Sequence, residues 1–310
     1  MSALPVPSAT IRVVIGVAAA ALAAAPAIGS LYLTYLLTEI LIFGLFALAF
    51  NLLLGHGGLL SFGHAAYFSI GAYACAVLML KLSWPFAAAL PAAIGLTTLA
   101  AVVIGYFCVK LTKIYFGILT LAFAQLVWAI ALKWTSVTGG DTGLIGVKVP
   151  AWLDDPTRFY YFTLMVVTAF AWALWVIVHS AFGRILAATR ENPLRAEFIG
   201  VHVKRVQLVA FVISGGVSGV AGALYSVFNR SVFVETAWWT LSAEVLIMTV
   251  LGGMHSFFGP AVGAAALIVL ERIIRDYTEY WPTFLGLILL TVLFVFPNGL
   301  AAMTRRRPSP

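Results

Sequence analysis

The chain has 310 residues, of which 63% are hydrophobic and only 9% are charged, and its mean hydropathy is +1.05. A soluble protein is excluded, because soluble domains are about half apolar and need a polar exterior that this composition does not provide. A β-barrel would show period-two alternation, which the apolar runs lack. The net charge of +7 comes from basic residues between these runs, which indicates a positive-inside bias and not a nucleic-acid surface.

Apolar runs long enough to cross a bilayer follow one another along the chain, since a hydrocarbon core of ~30 Å requires about 20 residues of helix. The predicted spans are 11–29, 31–54, 65–80, 87–109, 114–133, 159–180, 206–228 and 282–300. A further run, 244–271, is interrupted by Gly252, Gly253, Gly259 and Pro260, and is either two short spans or a re-entrant pair of half-helices. The sequence therefore predicts one transmembrane domain over 1–310, an all-α polytopic bundle with eight to ten transmembrane helices.

Lys and Arg in the loops between these runs predict the orientation. With both termini in the cytoplasm, eleven of the 18 basic residues lie inside and seven lie outside. This arrangement places the loop 181–205 and the basic tail 301–310 in the cytoplasm, and the loop 134–158 on the outer side.

A glycine-rich stretch, NLLLGHGGLLSFGHAAYFSIGAY, begins at the end of the second run. Its glycines permit irregular backbone, while Asn51, Ser61 and His64 place polar groups at membrane depth, as Glu39 does within the run before it. Such groups are tolerated where they are buried in protein or line a cavity, and they often mark a pathway. We therefore predict that these four residues belong to the translocation pathway. The alternative is helix packing, with His64 hydrogen-bonded to a neighbouring carbonyl.

A charged segment, Gly183–Arg205, holds seven of the 29 charged residues between two long apolar runs. Asn192 is a favoured N-cap, and proline is tolerated at the first helical position. Gly200 is a natural stop. These signals predict a short helix over Pro193–Ile199.

Two apolar residues of this short helix, Leu194 and Phe198, are four positions apart and share one face. An apolar pair with charged neighbours suits docking into a groove on another protein. The alternative is an ordinary positive-inside loop that lies on lipid headgroups.

The run 210–226, AFVISGGVSGVAGALYS, has small residues four positions apart. Gly215 with Gly219, and Ser218 with Gly222, form a face that predicts close helix packing. The same run contains Gly-Val-Ser-Gly, a pattern seen around the nucleophile of intramembrane serine proteases, for which His64 or His255 would have to act as base.

Two stretches of the chain are similar to each other. GGLLSFGHAAYFSIGA (57–72) and GGMHSFFGPAVGA (252–264) each begin with Gly-Gly and continue with Ser-Phe and small residues. Transporters often contain repeated halves with broken helices at the substrate site. Repeat ancestry and chance similarity between segments of simple composition both explain the match.

At these residues the chain resembles the LivM-type permeases of branched-chain amino acid ABC importers. The resemblance runs in the family's order over about 33–302 and rests on NLLLGHGGLLSFGHAAYFSIGAYACA, TGGDTGL, GRILAATRENPLRAEFIGVHV, AFVISGGVSGVAGALYS, LGGMHSFFGPAVGA and FPNGL. It implies a permease subunit with a type II importer-like fold in a bacterial inner membrane. The implied substrates are Leu, Ile and Val or related small polar or amphipathic solutes.

The resemblance also implies partners. These are a paralogous permease subunit, two cytoplasmic ABC ATPase subunits that hold ATP-Mg, and a periplasmic substrate-binding protein. The chain itself, embedded in the bilayer, would have no catalytic residue, metal or bound cofactor. The charged segment would contain the coupling helix that binds an ATPase. The residues implied in this coupling are Gly183, Arg184, Arg190, Glu191, Asn192, Pro193, Leu194, Arg195, Glu197, Phe198 and Gly200.

Two other classes of function are alternatives to this interpretation. An ion-coupled secondary transporter or a channel would work without an ATPase. An intramembrane serine protease would use Ser218 as its nucleophile.

Overall fold

The structure is a computed structural model that describes residues 29–111 and 113–276, with isolated positions at 22, 24, 26, 283, 284, 286 and 287. The predicted spans 11–29 and 282–300 lie largely outside the described residues. The basic tail 301–310 and the FPNGL motif lie outside them entirely. The total number of crossings therefore stays a prediction.

The first half of the described chain contains four helices, which coincide with the apolar runs at 31–54, 65–80, 87–109 and 114–133. The helices at 31–54, 87–109 and 114–133 confirm the predicted spans, whereas the helix at 65–80 is shorter than a full crossing requires. Ser30 begins the first helix, because its side chain accepts a hydrogen bond from the backbone N–H of Leu33 at 3.3 Å. A π-helical turn, Leu52–His56, continues this helix at its far end. The four helices are α1 (Leu31–Asn51), α2 (His64–Leu80), α3 (Phe86–Cys108) and α4 (Lys113–Lys133).

The second half begins with a short helix and contains six more. The helices are α5 (Thr135–Thr138), α6 (Pro156–His179), α7 (Ala181–Glu191), α8 (Pro193–Phe198), α9 (Val203–Phe228), α10 (Trp239–Gly252) and α11 (Gly259–Arg275). Helices α6 and α9 confirm the spans predicted at 159–180 and 206–228. The described strands are β1 (Leu144–Ile145) and β2 (Ser231–Val232), which pair antiparallel. Single 3₁₀ turns occur at Gly140–Thr142, Ala151–Leu153 and Val234–Ala237.

Five described helices are long and apolar enough to cross a bilayer: α1 with its π-helical turn, α3, α4, α6 and α9. In the most apolar 18-residue stretch of each helix, the buried share is 78% in α1 and 72% in α9. The corresponding shares in α3, α4 and α6 are 28%, 28% and 17%. Helices α1 and α9 therefore form the centre of the bundle. The other three expose apolar side chains at its periphery, as lipid-facing helices do. The protein is an all-α polytopic membrane protein, as the composition predicted.

The loops form two groups. In the first group, 134–158 and 229–238 are joined by the two strands and by an ion pair of 2.8 Å between Arg230 and Asp154. In the second group, the turns 57–63 and 253–258 lie beside the connection 180–202, since the guanidinium of Arg190 donates to the carbonyl of Gly55 and to His255. Each group contains loops that the charge pattern placed on one side of the membrane.

The interrupted run 244–271 is two helices separated by residues 253–258. Helix α10 begins next to the first loop group and ends at the second, and α11 returns. The 14 residues of α10 correspond to ~21 Å of helix, and the 17 residues of α11 correspond to ~26 Å. A Cβ on Gly263 would overlap the carbonyl of Met248, so the two backbones touch. The contacts of the turn with the second loop group favour two crossings over a re-entrant pair.

Candidate functional site

The charged segment forms two consecutive helices, α7 and α8. Ser180 begins α7, where its hydroxyl accepts from the N–H of Gly183 at 3.4 Å. Asn192 begins α8, where its Oδ1 accepts from the N–H of Arg195 at 3.0 Å, and Pro193 takes the first position. The predicted short helix is confirmed, with its last residue at Phe198. The φ of +89° at Gly200 explains why a glycine follows the helix there.

Helix α8 exposes apolar side chains away from the bundle. Leu194 is 66% exposed and Phe198 is 90% exposed, while Ala196 on the opposite face is buried. Ile199, which the sequence pattern did not single out, is 79% exposed beside them. Because Arg195 and Glu197 are exposed as well, the apolar face has charged residues on its border. This arrangement suits a protein partner that covers the face.

The guanidinium of Arg190 lies at the end of α7 and contacts the two connections that we call the glycine turns. The first is 52–63, between α1 and α2, and the second is 253–258, between α10 and α11. Nη1 of Arg190 donates to the carbonyl oxygen of Gly55, and its Nη2 lies 3.2 Å from Nε2 of His255. A guanidinium has only donors, so His255 is the acceptor. A Cβ on Gly58, whose φ is +67°, would collide with the Arg190 side chain. The absence of a side chain at Gly58 thus makes room for Arg190.

The two glycine turns also contact each other directly. Nδ2 of Asn51 donates to the carbonyl of Ser256 at 3.4 Å. A Cβ on Gly55 would overlap both the Asn51 side chain and the carbonyl of Met254. The stretches 57–72 and 252–264, which the sequence showed to be similar, therefore begin at adjacent turns, and each has a glycine of positive φ, Gly58 and Gly253.

The remaining residues of the predicted coupling set have local roles or face outward. Gly183 is buried, and a Cβ there would overlap the carbonyl of Val178. Arg184 donates to the carbonyl of His179 at 3.3 Å. The side chain of Glu191 is exposed at the end of α7.

Three of the four predicted pathway residues are buried at helix contacts. Ser61 Oγ accepts from the N–H of Gly63 at 3.2 Å, and Asn51 reaches the turn after α10. Nε2 of His64 lies 2.7 Å from Oγ of Ser214, which donates to the carbonyl of Ala49 at 2.5 Å. His64 is thus bonded to a hydroxyl and not directly to a carbonyl. The Asn51 and His64 bonds join α1, α2, α9 and the α10–α11 turn, whereas the Ser61 bond is local to the turn before α2. A pathway role for these three residues stays a prediction.

Glu39, the fourth predicted pathway residue, lies at a cavity of about 350 Å³ between α1, α2, α9, α10 and α11. Its carboxylate pairs with Arg272 of α11, and both side chains are partly exposed. Three more glutamates line the same cavity, together with Arg275 and the aromatic rings of Phe43, Phe68 and Tyr225. These glutamates are Glu235, Glu244 and Glu271. Among these four acids, the sequence predicted a pathway role for Glu39 alone. Glu235 lies in the 3₁₀ turn before α10, and Glu244 and Glu271 reach the cavity through the packing of α10 and α11.

The small residues of α9 bring its backbone against the backbone of α2 and against small side chains of α3. A Cβ on Gly222 would overlap the carbonyl of Phe68, and one on Gly219 would overlap the side chain of Thr97. A Cβ on Gly215 would lie 2.7 Å from that of Ala101. The hydroxyl of Ser218 donates to the carbonyl of Ser214 at 2.8 Å. This face is a packing surface.

The serine–histidine pair that a protease would need does not form among the described residues. Ser218 donates within its own helix, whereas His64 bonds to Ser214 and His255 to Arg190. Nothing in the described part of the chain therefore prepares Ser218 as a nucleophile.

Comparison with known proteins identifies the family. Residues 32–296 match the model of a family described as branched-chain amino acid transport system / permease component. The chain is 29% identical over 295 residues to the Escherichia coli high-affinity branched-chain amino acid transport system permease protein LivM, with 86% of this chain and 69% of the relative covered. No solved structure matches the chain.

Two further relatives match smaller parts of this chain. The probable branched-chain amino acid transport permease protein LivM of Methanocaldococcus jannaschii is 24% identical over 212 residues, which cover 62% of this chain and 61% of the relative. The autoinducer 2 import system permease protein LsrC of Salmonella paratyphi B is 29% identical over 233 residues, 70% of this chain and 65% of the relative. Because the family model covers most of the chain, the protein belongs to the family of branched-chain amino acid transport system permease components.

Proposed function

We propose that the chain is the permease subunit of an ATP-driven ABC importer for branched-chain amino acids or related small amphipathic solutes. Family membership supports the permease role. The observation that carries the ATP-driven part is the apolar face of α8, with Phe198 90% exposed on a helix that projects from the bundle. Two cytoplasmic ATPase subunits would hold ATP-Mg and cover this face, and this chain would bind neither nucleotide nor metal.

The remaining partners follow from the same proposal. A paralogous permease subunit completes the transmembrane part, and a periplasmic binding protein delivers the solute to the first loop group. The second loop group and both termini then lie in the cytoplasm, with the chain in a bacterial inner membrane. All 310 residues act as one permease domain.

Transport proceeds by alternating access in this proposal. Closure of the ATPase subunits moves α8 and switches the opening from one side of the membrane to the other. ATP can drive this change only if the ATPase subunits bind the two permease states with different affinity. The cavity beside Glu39 lies near the first loop group, which is consistent with an outward-facing vestibule.

The docking face can be tested with Phe198→Ser. Burying a large apolar side chain contributes roughly 1.5–3 kcal/mol, so the substitution should weaken ATPase binding by about tenfold or more. The measurement is copurification of the ATPase subunits with the tagged permease, followed by ATP-dependent leucine uptake in proteoliposomes. Retention of native ATPase binding and uptake in Phe198→Ser would contradict the assignment.

The matched control is Ile114→Ser. Ile114 is 75% exposed and belongs to the first turn of α4, outside the charged segment. Copurification of the ATPase subunits should stay within about twofold of native, since this residue faces lipid in the proposal.

Leucine uptake that persists in liposomes without ATPase subunits, driven by an ion gradient, would instead support the secondary-transporter alternative.

A further inference from the structure

Arg190 is a point where three distant parts of the chain meet. Its guanidinium lies at the C-terminal end of α7 and donates to Gly55, at the end of α1, and to His255, between α10 and α11. The two acceptors are 135 and 65 positions away in sequence. One side chain thus connects the charged segment to the turn that leads into α2 and to the turn that leads into α11.

The connection from Arg190 to the exposed helix α8 is short and held by hydrogen bonds. Asn192 is the single residue between α7 and α8, and its N–H donates to the carbonyl of Ala188 at 3.1 Å. Its own carbonyl accepts from the N–H of Ala196 at 3.1 Å, and its side chain accepts from Arg195 at 3.0 Å. With donor, acceptor and side chain all engaged, this linker has little freedom. A displacement of α8 therefore moves the end of α7 with it.

The chemistry at the turns requires an arginine. A planar guanidinium presents several N–H groups in a fixed fork, so two of its nitrogens can serve two acceptors at once. A lysine ammonium has similar charge but is a single point. The space at Gly58 fits the same interpretation, because any side chain there would collide with Arg190.

We propose that Arg190 is a positioning residue that couples the movement of α8 to the relative placement of the two glycine turns. This inference rests on the proposed function. When the ATPase subunits displace α8, Arg190 transmits the displacement to Gly55 and His255. The end of α1 and the start of α2 then move together with the end of α10 and the start of α11. Arg190 acts through these turns and makes no part of the apolar face of α8.

The test is the coupling ratio, leucine transported per ATP hydrolysed, in proteoliposomes that contain the complex purified through its ATPase subunits. Normalising to assembled complex separates coupling from folding or assembly. Arg190→Ala should lower the ratio by about tenfold. Arg190→Lys should not restore it, since the charge remains but the fork is lost. ATPase copurification should persist in both variants.

Substitutions at His255 test the same contact, with a smaller expected loss of the coupling ratio. His255→Ala removes one of the two acceptors and should lower the ratio by about threefold, whereas His255→Gln keeps a side-chain acceptor and should stay near native. In the double variant Arg190→Ala/His255→Ala the loss should equal that of Arg190→Ala alone, because both changes remove the same bridge. Lys110→Ala is the control for loss of a positive charge, since Lys110 lies 3.9 Å over the ring of Tyr106 within its own segment.

A native ratio in Arg190→Ala or Arg190→Lys would overturn the inference, as would additive losses in the double variant. These results differ from failure of the proposed function. In that case the native protein itself would show no ATP-dependent uptake and no ATPase copurification.

Discussion

At the scale of single residues, the buried hydrogen bond of His64 shows how a polar group is accommodated in the apolar centre. The one hydroxyl hydrogen of Ser214 points to the carbonyl of Ala49 at 2.5 Å, so Nε2 of His64 must donate to Ser214 Oγ at 2.7 Å. Among the described residues, Nδ1 has no partner. The rings of Phe50, Tyr67 and Phe211 surround the imidazole. The chain of two bonds ties α2 to α9 and α1.

Removing the Ser214 hydroxyl, which takes part in both hydrogen bonds, should destabilise the bundle. Ser214→Ala leaves the Nε2–H of His64 buried without an acceptor, which costs about 1–3 kcal/mol. The measurement is the free energy of unfolding in mixed detergent micelles.

Ser218→Ala is the matched control, because its hydroxyl donates at 2.8 Å to a carbonyl of its own helix and that carbonyl keeps its helical partner. The change in its unfolding free energy should be within about 0.5 kcal/mol. Equal stabilities for the two variants would show that the His64–Ser214 bond is not formed.

At the scale of elements, glycine positions decide how closely α9 approaches its neighbours. A Cβ on Gly222 would overlap the backbone of Phe68, and a Cβ on Gly71 would overlap the backbone of Gly219. Backbone cannot move aside as a flexible side chain can. The helices are therefore held at a separation that even a methyl group would increase.

Gly222→Ala should push α9 away from α2 and lower the free energy of unfolding by roughly 1–3 kcal/mol. Gly95→Ala is the control within another helix, because a Cβ at Gly95 would meet no atom within 4 Å. It should be neutral or slightly stabilising, by up to about 1 kcal/mol. Unfolding of purified protein measures both changes, and a neutral Gly222→Ala would contradict the close approach.

At the scale of the whole molecule, the two loop groups divide the protein into two faces joined by the long helices. Strands β1 and β2 and the Arg230–Asp154 ion pair hold the first face together. Arg190 and the Asn51–Ser256 bond hold the second. Because the charged segment belongs to the second face, a displacement by the proposed ATPase would reach the turns that join α1 to α2 and α10 to α11.

Cysteine labelling tests this division, and the background should be low because Cys75 and Cys108 are buried. Phe198→Cys and Phe258→Cys should react with a membrane-impermeant maleimide from the cytoplasmic side. Ile145→Cys, whose native side chain is 71% exposed on β1, should react from the outside. Labelling of Phe258→Cys from the outside would show that α10 and α11 are a re-entrant pair.

The sequence by itself determined the features that depend on neighbouring residues. Apolar length predicted the five long helices that can cross a bilayer, because a bilayer demands about 20 residues of helix wherever they occur. Asn192, Pro193 and Gly200 fixed α8, because capping groups act within one turn. The small residues of α9 indicated close packing, although its partners, α2 and α3, could not be inferred.

Only the tertiary structure decided which polar groups meet. The family resemblance implied Arg190 in coupling, yet its acceptors are 135 and 65 residues away in sequence. For His64 the sequence left two interpretations, a pathway role and a bond to a carbonyl, and its partner in the structure is the hydroxyl of Ser214, 150 positions away. Of the acids at the cavity, Glu39 alone was predicted to belong to a pathway, since no local pattern specifies how the 3₁₀ turn at 234–237, α10 and α11 are placed around it. Hydrogen bonds and cavities of this kind depend on how helices pack, and packing is a property of the whole bundle.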